Sequence, residues 1–243
     1  MPALSLPPPL PADAALFLDF DGTLVELAHA PDAIAVPESL RPLLDRLAER
    51  LGGRLAVVSG RSLGDLDRHL GSGLPVSGSH GLEIRHSDGR FSAPSPPSGL
   101  ASARAAVDAF AQATPGLLAE DKPASIALHF RGAPGREGEV QDFAARLAEE
   151  TGLKLQQGKM VVELRPAGAD KGDALRAMMR EPQFAGARPW FVGDDLTDEH
   201  AFEAAAALGG AGILVGPERG TAAGYRLAGV AEVARWLEEA ARG

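Results

Sequence analysis

Apolar residues in this chain follow two spacings. Residues 16–18 of the predicted strand 16–20, residues 55–58, and the "ILV" within "AGILVG" are short unbroken runs that stop at Asp, Ser or Gly. That is the pattern of strands buried on both faces. Between the first two runs, residues 37–51 place Leu40, Leu43, Leu44, Leu47 and Leu51 on one side of a helix. Residues 62–70 read as a second helix, and "LPVSGSHG" as a third short strand that ends in a polar turn. Strand, helix, strand, helix, strand predicts a parallel sheet covered by helices.

The rhythm changes at "FSAPSPPSG", residues 91–99, a Pro/Ser-rich stretch with the composition of a linker. Beyond it the pattern predicts a helix over 100–113 and a hairpin of 117–119 with 125–130. A second helix follows over 138–151, then a hairpin of 153–157 with 160–164. Hairpins segregated in this way indicate an α+β subdomain of their own. From residue 170 the first rhythm resumes: a helix over 171–180, the strand "PWFVGDD", a helix over 199–208, the strand "AGILVG" and a closing helix over 230–241. The predicted class is α/β, a Rossmann-like parallel-sheet core with one inserted α+β cap. The expected boundaries are a flexible leader over 1–13, a core over 14–98 and 169–243, and a cap over 99–168. The only internal repeat is a weak likeness between the two halves of the cap.

Length and composition change this picture little. A chain of 243 residues with 45% hydrophobic and 23% charged residues has ample material for a core with an insertion. A formal charge of −9 disfavours a nucleic-acid partner but leaves room for a small anionic substrate. The absence of cysteine removes disulfides, thiolate nucleophiles and thiolate metal sites, and agrees with a reducing compartment. The start "MPALSLPPPLPAD" lacks a basic region and is broken by prolines, so it reads as neither a signal peptide nor a membrane helix. No apolar run has the length to span a bilayer. A soluble, cytoplasmic protein is the expectation.

In an open α/β sheet, ligands gather beyond the carboxyl ends of the strands. Three predicted strands end in polar groups there: Asp19 and Asp21, Ser59 and Gly60, and Asp194 and Asp195. If these strands are neighbours, four carboxylates converge and need a cation; Mg2+ suits such oxygen ligands. Taken singly, each group has a plainer reading, two loop acids or a serine capping the next helix. "DFDGTLVELAHA" fails as a calcium loop, with Leu24 where glycine is required and Ala30 where glutamate is. "GAGILVG" has the wrong spacing for a dinucleotide fingerprint, and no GxxxxGK[ST] loop is present.

Together, "DFDGT", "VVSGR", "DKG" and "GDDLTDE", in that order and each at a strand end or helix start, resemble the four motifs of the haloacid dehalogenase-like phosphatases. The resemblance implies Asp19 as nucleophile and Asp21 as general acid/base. It implies Ser59 and Gly60 as phosphate-binding residues, and Lys171 as the cation that neutralises the phosphoryl group and positions Asp19. It further implies Mg2+ held by Asp19, Asp21 and Asp194, with Asp195 and Asp198 supporting the ion from outside its ligand ring. The insertion lies between Ser59 and Lys171, where the second cap class of that superfamily is expected.

"SHGLE", "KPASIALHFR" and "GKMVVELRP" narrow the resemblance to the trehalose-6-phosphate phosphatases, over nearly the whole chain after the leader. That family implies a sugar-phosphate substrate, recognised from the cap by Lys122, Arg131, Lys159 and Glu163, and a separate trehalose-phosphate synthase as partner. Lys159 and Glu163 are four apart, which on a strand puts both on one face. Ordinary solvated charges on a hairpin are the plain alternative. His80 and Glu83 are candidates for lining the site from the core, with His80 equally readable as a turn residue. The stretches 91–99 and 166–170 are hinge candidates for a mobile cap. Phosphatases of sucrose phosphate or mannosyl-3-phosphoglycerate, a sugar phosphomutase, and a catalytically silent binding module are the competing readings.

Overall fold

The computed structural model of the chain describes residues 4–28, 34–93, 97–167 and 170–242. The chain begins with β1 (Ala14–Leu18), α1 (Leu40–Arg50), β2 (Leu55–Val58), α2 (Leu63–Leu70), β3 (Val76–Gly78), β4 (Glu83–Arg85) and β5 (Phe91–Ser92). The insertion follows with α3 (Leu100–Ala113), β6 (Leu118–Asp121), β7 (Ile126–His129), α4 (Glu137–Thr151), β8 (Lys154–Gly158) and β9 (Val161–Arg165). The chain returns with α5 (Lys171–Met178), β10 (Arg188–Gly193), α6 (Glu199–Ala207), β11 (Ala211–Val215), β12 (Tyr225–Leu227) and α7 (Val230–Arg242). Two compact units result, one of Met1–Ser92 with Ala169–Gly243 and one of Ala93–Gly168. The central residues of both hinge candidates, 94–96 and 168–169, lie outside the described residues.

The larger unit holds one sheet in the order β12-β11-β10-β1-β2-β3-β4-β5. Its strands run parallel from β12 to β3, whereas β3–β4 and β4–β5 pair antiparallel. The sheet is thus mostly parallel, as the α/β reading expects, with a short antiparallel edge at β4 and β5 that the pattern did not predict. Strands β4, β5 and β12 have two or three residues each, too few for any hydrophobic period to show. Leu16, Phe17 and Leu18 of β1 are all fully buried because helices cover both faces. Leu16 and Leu18 join Leu44, Leu47, Leu66 and Trp236 in one layer; Phe17 joins Leu175, Phe184, Phe191 and Phe202 in the other.

The leader, expected to be flexible, is extended but tied down over its described part. Ser5 bridges Tyr225, Pro8 accepts from the Trp236 indole at 3.0 Å, Leu10 is buried, and Asp13 pairs with Arg188. Prolines keep it out of any helix, while Leu10 gives it apolar surface to bury.

The smaller unit is a four-stranded antiparallel sheet in the order β6-β7-β9-β8. Helices α3 and α4 cover one face through Leu100, Val107, Val140 and Leu147, packed on Ile126, Leu128, Val162 and Leu164. The register sets Glu120, Ala127, Glu163 and Gln156 in one row across the opposite face. That face is therefore polar by design of the alternation.

Candidate active site

The site in the larger unit follows from strand register. Leu18 pairs with Val192 on one side and with Val57 on the other. Asp19, Asp194 and Ser59 therefore leave three adjacent parallel strands at nearly the same level. The Asp19 amide continues the ladder to the Val192 carbonyl at 2.9 Å, and the Ser59 amide bonds the Ser77 carbonyl at 2.8 Å. Beyond Asp19 the chain reverses: Leu24 and Val25 donate to the Phe20 carbonyl, and Gly22 donates to Val25. Gly22 has φ +79°, and a Cβ there would lie 2.2 Å from an Asp194 carboxylate oxygen. Only glycine serves at that position.

Lys171 opens α5, whose N-terminus is capped by the Asp170 side chain on the Asp173 amide at 2.9 Å. Its ammonium donates to Asp19 Oδ1 at 2.7 Å and to Asp198 Oδ1 at 2.6 Å, and all three side chains are buried. Asp198 also accepts from the Asp195 amide at 2.9 Å, while Asp195 Oδ1 accepts from the Leu196 amide. This reciprocal cap shapes the 194–198 turn. Arg219 anchors the turn from outside by donating to the Asp195 carbonyl at 2.9 Å.

Asp19, Asp194 and Asp198 each offer a carboxylate oxygen, and the three oxygens lie within 4.8 Å of one another. Burial pushes the Asp19 carboxyl well above the ordinary range; Lys171 opposes the shift, and Asp198 and Asp194 add to it. Burial likewise raises Asp198. Asp194 is pushed up to about 7, first by burial and then by Asp198. Lys171 loses from burial but gains more from Asp19 and Asp198, so its pKa is held above the ordinary lysine value. Three acids balanced by one ammonium form a set of hard oxygen donors that a divalent cation suits. Both Asp198 oxygens already accept hydrogen bonds. Asp19 and Asp194 are thus the better placed of the three to ligate.

The crowding predicts a stability change. A carboxyl held up to about 7 when folded, against an ordinary 3.8, binds its proton more tightly in the folded state. Its ionisation therefore erodes stability as pH rises from about 4 to about 7, and the cost is complete above that. In metal-free buffer, Asp194→Asn is expected to melt several degrees above the parent at pH 8, with the gap narrowing toward pH 4. Equal melting temperatures at pH 8 would contradict the crowding.

Asp21 is not brought to this acidic group. Its carboxylate takes a two-pronged hydrogen bond from Arg61, 2.7 Å to Nε and 2.8 Å to a terminal nitrogen. Arg61 also pairs with Asp65 and lies over the Phe20 ring. Ser59 is buried, its Oγ accepting from the Arg61 amide at 3.2 Å, so its proton remains available to a ligand. The residue that caps α2 is Ser62, not Ser59.

In the smaller unit the structure joins Lys122 and Glu163. The ammonium donates to Glu163 Oε2 at 2.9 Å while Ser125 donates to Oε1 at 2.6 Å, all three buried. Burial works against the Lys122 charge, but Glu163 and Glu120 together hold its pKa above the ordinary lysine value. Glu120 and His129 form a second pair at 2.7 Å. Arg131 follows β7 and Lys159 lies in the turn between β8 and β9, at one end of the sheet. The expectation that Lys159 and Glu163 share a strand face is corrected on this point, since strand alternation does not reach a turn residue.

Sequence reasoning overlooked Arg61 as a partner of Asp21, and Ser125 and Glu120 beside the Lys122–Glu163 pair. Arg61 and Ser125 lie inside the motifs quoted above, but pairing across about forty residues leaves no local signal. Glu83 accepts from the Leu63 amide at 2.9 Å and from Ser79 Oγ at 3.1 Å, buried beneath α2. It ties the 79–83 turn to the start of α2.

A family description, "Trehalose-phosphatase", matches residues 17–231 of the chain. A probable trehalose-phosphate phosphatase of Sinorhizobium fredii is 44% identical over 206 residues, 84% of this chain and 78% of that protein. The trehalose-6-phosphate phosphatase of Escherichia coli is 39% identical over 234 residues, 95% of this chain and 88% of that protein. Among solved structures, a trehalose-6-phosphate phosphatase related protein superposes with a TM-score of 0.77 at 26% identity, over 92% of this chain and 95% of that one. The C-terminal domain of the Candida albicans trehalose-6-phosphate phosphatase shares the fold, with a TM-score of 0.82 at 20% identity over 94% and 92% of the two chains.

Proposed function

We propose, for a chain that belongs to the trehalose-phosphatase family, that the reaction is hydrolysis of trehalose 6-phosphate to trehalose and inorganic phosphate through an aspartyl-phosphate on Asp19. That the protein is a phosphatase follows from the family. The substrate, the covalent step and the metal are the proposal. The observation that carries it is the buried Lys171 ammonium bonded at once to Asp19 and Asp198, beside Asp194.

In this reading the Asp19 oxygen not bonded to Lys171 attacks phosphorus, and the bond from phosphorus to the sugar oxygen breaks. Lys171, the Ser59 hydroxyl and the Gly60 amide share the charge of the phosphoryl oxygens. Asp21 gives a proton to the departing alkoxide and later takes one from the water that releases phosphate. Its bond to Arg61 means that Asp21 must loosen from the guanidinium to carry that proton. Asp19 and Asp194, with Asp198 behind them, would hold Mg2+, which supplies positive charge where an anionic nucleophile meets an anionic ester. Asp21 was expected among the ligands; with its carboxylate on Arg61, it has its main-chain carbonyl to offer.

Lys122 and Glu163 are the better supported of the proposed sugar-binding residues. A carboxylate and an ammonium already ordered against each other can exchange some of that bonding for sugar hydroxyls. Arg131 and Lys159 belong to the same proposal on the strength of the family likeness. The proposal also includes a cytoplasmic setting and a separate synthase that supplies the substrate. No helix among the described residues is long and apolar enough to cross a membrane.

Phosphate release from trehalose 6-phosphate, sucrose 6-phosphate, glucose 6-phosphate and mannose 1-phosphate, each with Mg2+ and with chelator, tests the reading. Trehalose 6-phosphate is expected to be preferred by at least about 100-fold in kcat/KM, since a site built around sugar hydroxyls rejects esters that leave its polar groups unpaired. Activity is expected to vanish with chelator. A better rate on another ester, or an isomeric sugar phosphate without free phosphate, would overturn the assignment.

A further inference from the structure

We infer that His80 completes the phosphoryl-binding loop, holding its imidazole against Gly60 to donate a hydrogen bond to an oxygen of the bound phosphoryl group. The inference rests on the reading of Ser59 and Gly60 as the phosphate-binding residues.

Two independent features lead to it. The first is backbone strain. Ser79 and His80 have φ of +49° and +54°, consecutive residues with side chains in the left-handed region. Such a conformation is unfavourable for a residue with a Cβ and is left to glycine or asparagine when nothing else demands it. Here the surroundings enforce it. The Ser79 amide bonds the Arg61 carbonyl at 2.7 Å and the His80 amide bonds the Ser59 carbonyl at 3.0 Å. Ser79 Oγ bonds Glu83, which also holds the Leu63 amide. The strained turn is thus stitched to both ends of the Ser59–Arg61 segment.

The second feature is Gly60. Its φ is not in the left-handed region, so backbone freedom does not explain a glycine there. Space does: a Cβ at 60 would lie 2.5 Å from His80 Nε2 and 2.6 Å from Cε1. The Nε2 edge of the ring fills the place a side chain at 60 would occupy. A turn needed only for chain reversal requires neither a histidine nor a glycine opposite it. An imidazole nitrogen brought to the residue whose amide faces the phosphoryl group has a use there as a donor.

The test compares His80→Asn and His80→Gly with the parent. Both residues accept a positive φ, so the melting temperature is expected to hold or rise. The inhibition constant for inorganic phosphate is expected to weaken about tenfold, with kcat/KM falling at least as much, the range for one charge-assisted hydrogen bond. Unchanged phosphate inhibition and kcat/KM within about twofold in both variants would reduce His80 to a turn residue and overturn the inference. Ser59→Ala, measured alongside, separates the two claims. If it leaves phosphate inhibition unchanged, the underlying phosphoryl site is misassigned. If it weakens inhibition while the His80 variants do not, the inference about His80 fails alone.

Discussion

Asp19→Asn is expected to fold as the parent does and to lose turnover by at least about 10^4-fold, the scale set by removing a nucleophile. An amide has no charge with which to attack phosphorus, and neither Asp198 nor Asp21 is placed to replace it. Asp198 is buried and already bonded to Lys171 and to the Asp195 amide, and Asp21 is held by Arg61. The fold has no need of the Asp19 charge. Burial and two neighbouring acids push its carboxyl above the ordinary range, so an asparagine relieves crowding while still accepting from Lys171. Phosphate release and circular dichroism melts read the two halves of this prediction. A variant that keeps even a tenth of the parent rate would remove Asp19 from the role.

Lys171→Met is expected to have the opposite character, losing stability as well as activity. It leaves Asp19, Asp194 and Asp198 without the Lys171 ammonium that bonds two of them. Removing one partner of a buried ion pair costs about 3–5 kcal/mol. The sign of its pH dependence is set by the acids. All three have raised pKa values, so their folded forms bind protons readily and protonation discharges the repulsion. The loss is therefore expected in full near pH 8 and to diminish as pH falls below about 7. Urea denaturation at pH 8 and pH 5 measures it. Equal stability of variant and parent at pH 8 would mean that the acids are not balanced by Lys171.

The sheet centre and the core site were legible in the sequence for the same reason. Strands β1, β2, β10 and β11 are buried on both faces, so their apolar runs are unbroken and their ends fall where polar residues begin. Asp19, Ser59 and Asp194 could be set side by side once those strands were taken as neighbours. The edge strands β4 and β5 were not legible, because two or three residues carry no period. Distant side-chain pairing was equally hidden. Nothing local in "DFDGT" or "VVSGR" says that Arg61 grips Asp21 by two nitrogens, or that Asp198 shares Lys171 with Asp19. The cap helices showed their faces plainly, and α3 falls at residues 100–113 as the pattern predicts. The turn carrying Lys159 did not, since strand alternation was extended two residues ahead of the start of β9.

In the proposed reaction Asp19 takes the phosphoryl group from trehalose 6-phosphate. Rapid quench during turnover with that substrate and Mg2+, followed by borohydride reduction and peptide mass spectrometry, tests it most directly. Reduction of an aspartyl-phosphate converts the residue to homoserine. Homoserine is expected at position 19, dependent on trehalose 6-phosphate and absent with chelator. Steady phosphate release with position 19 recovered wholly as aspartate, or with the label at another acid, would contradict it.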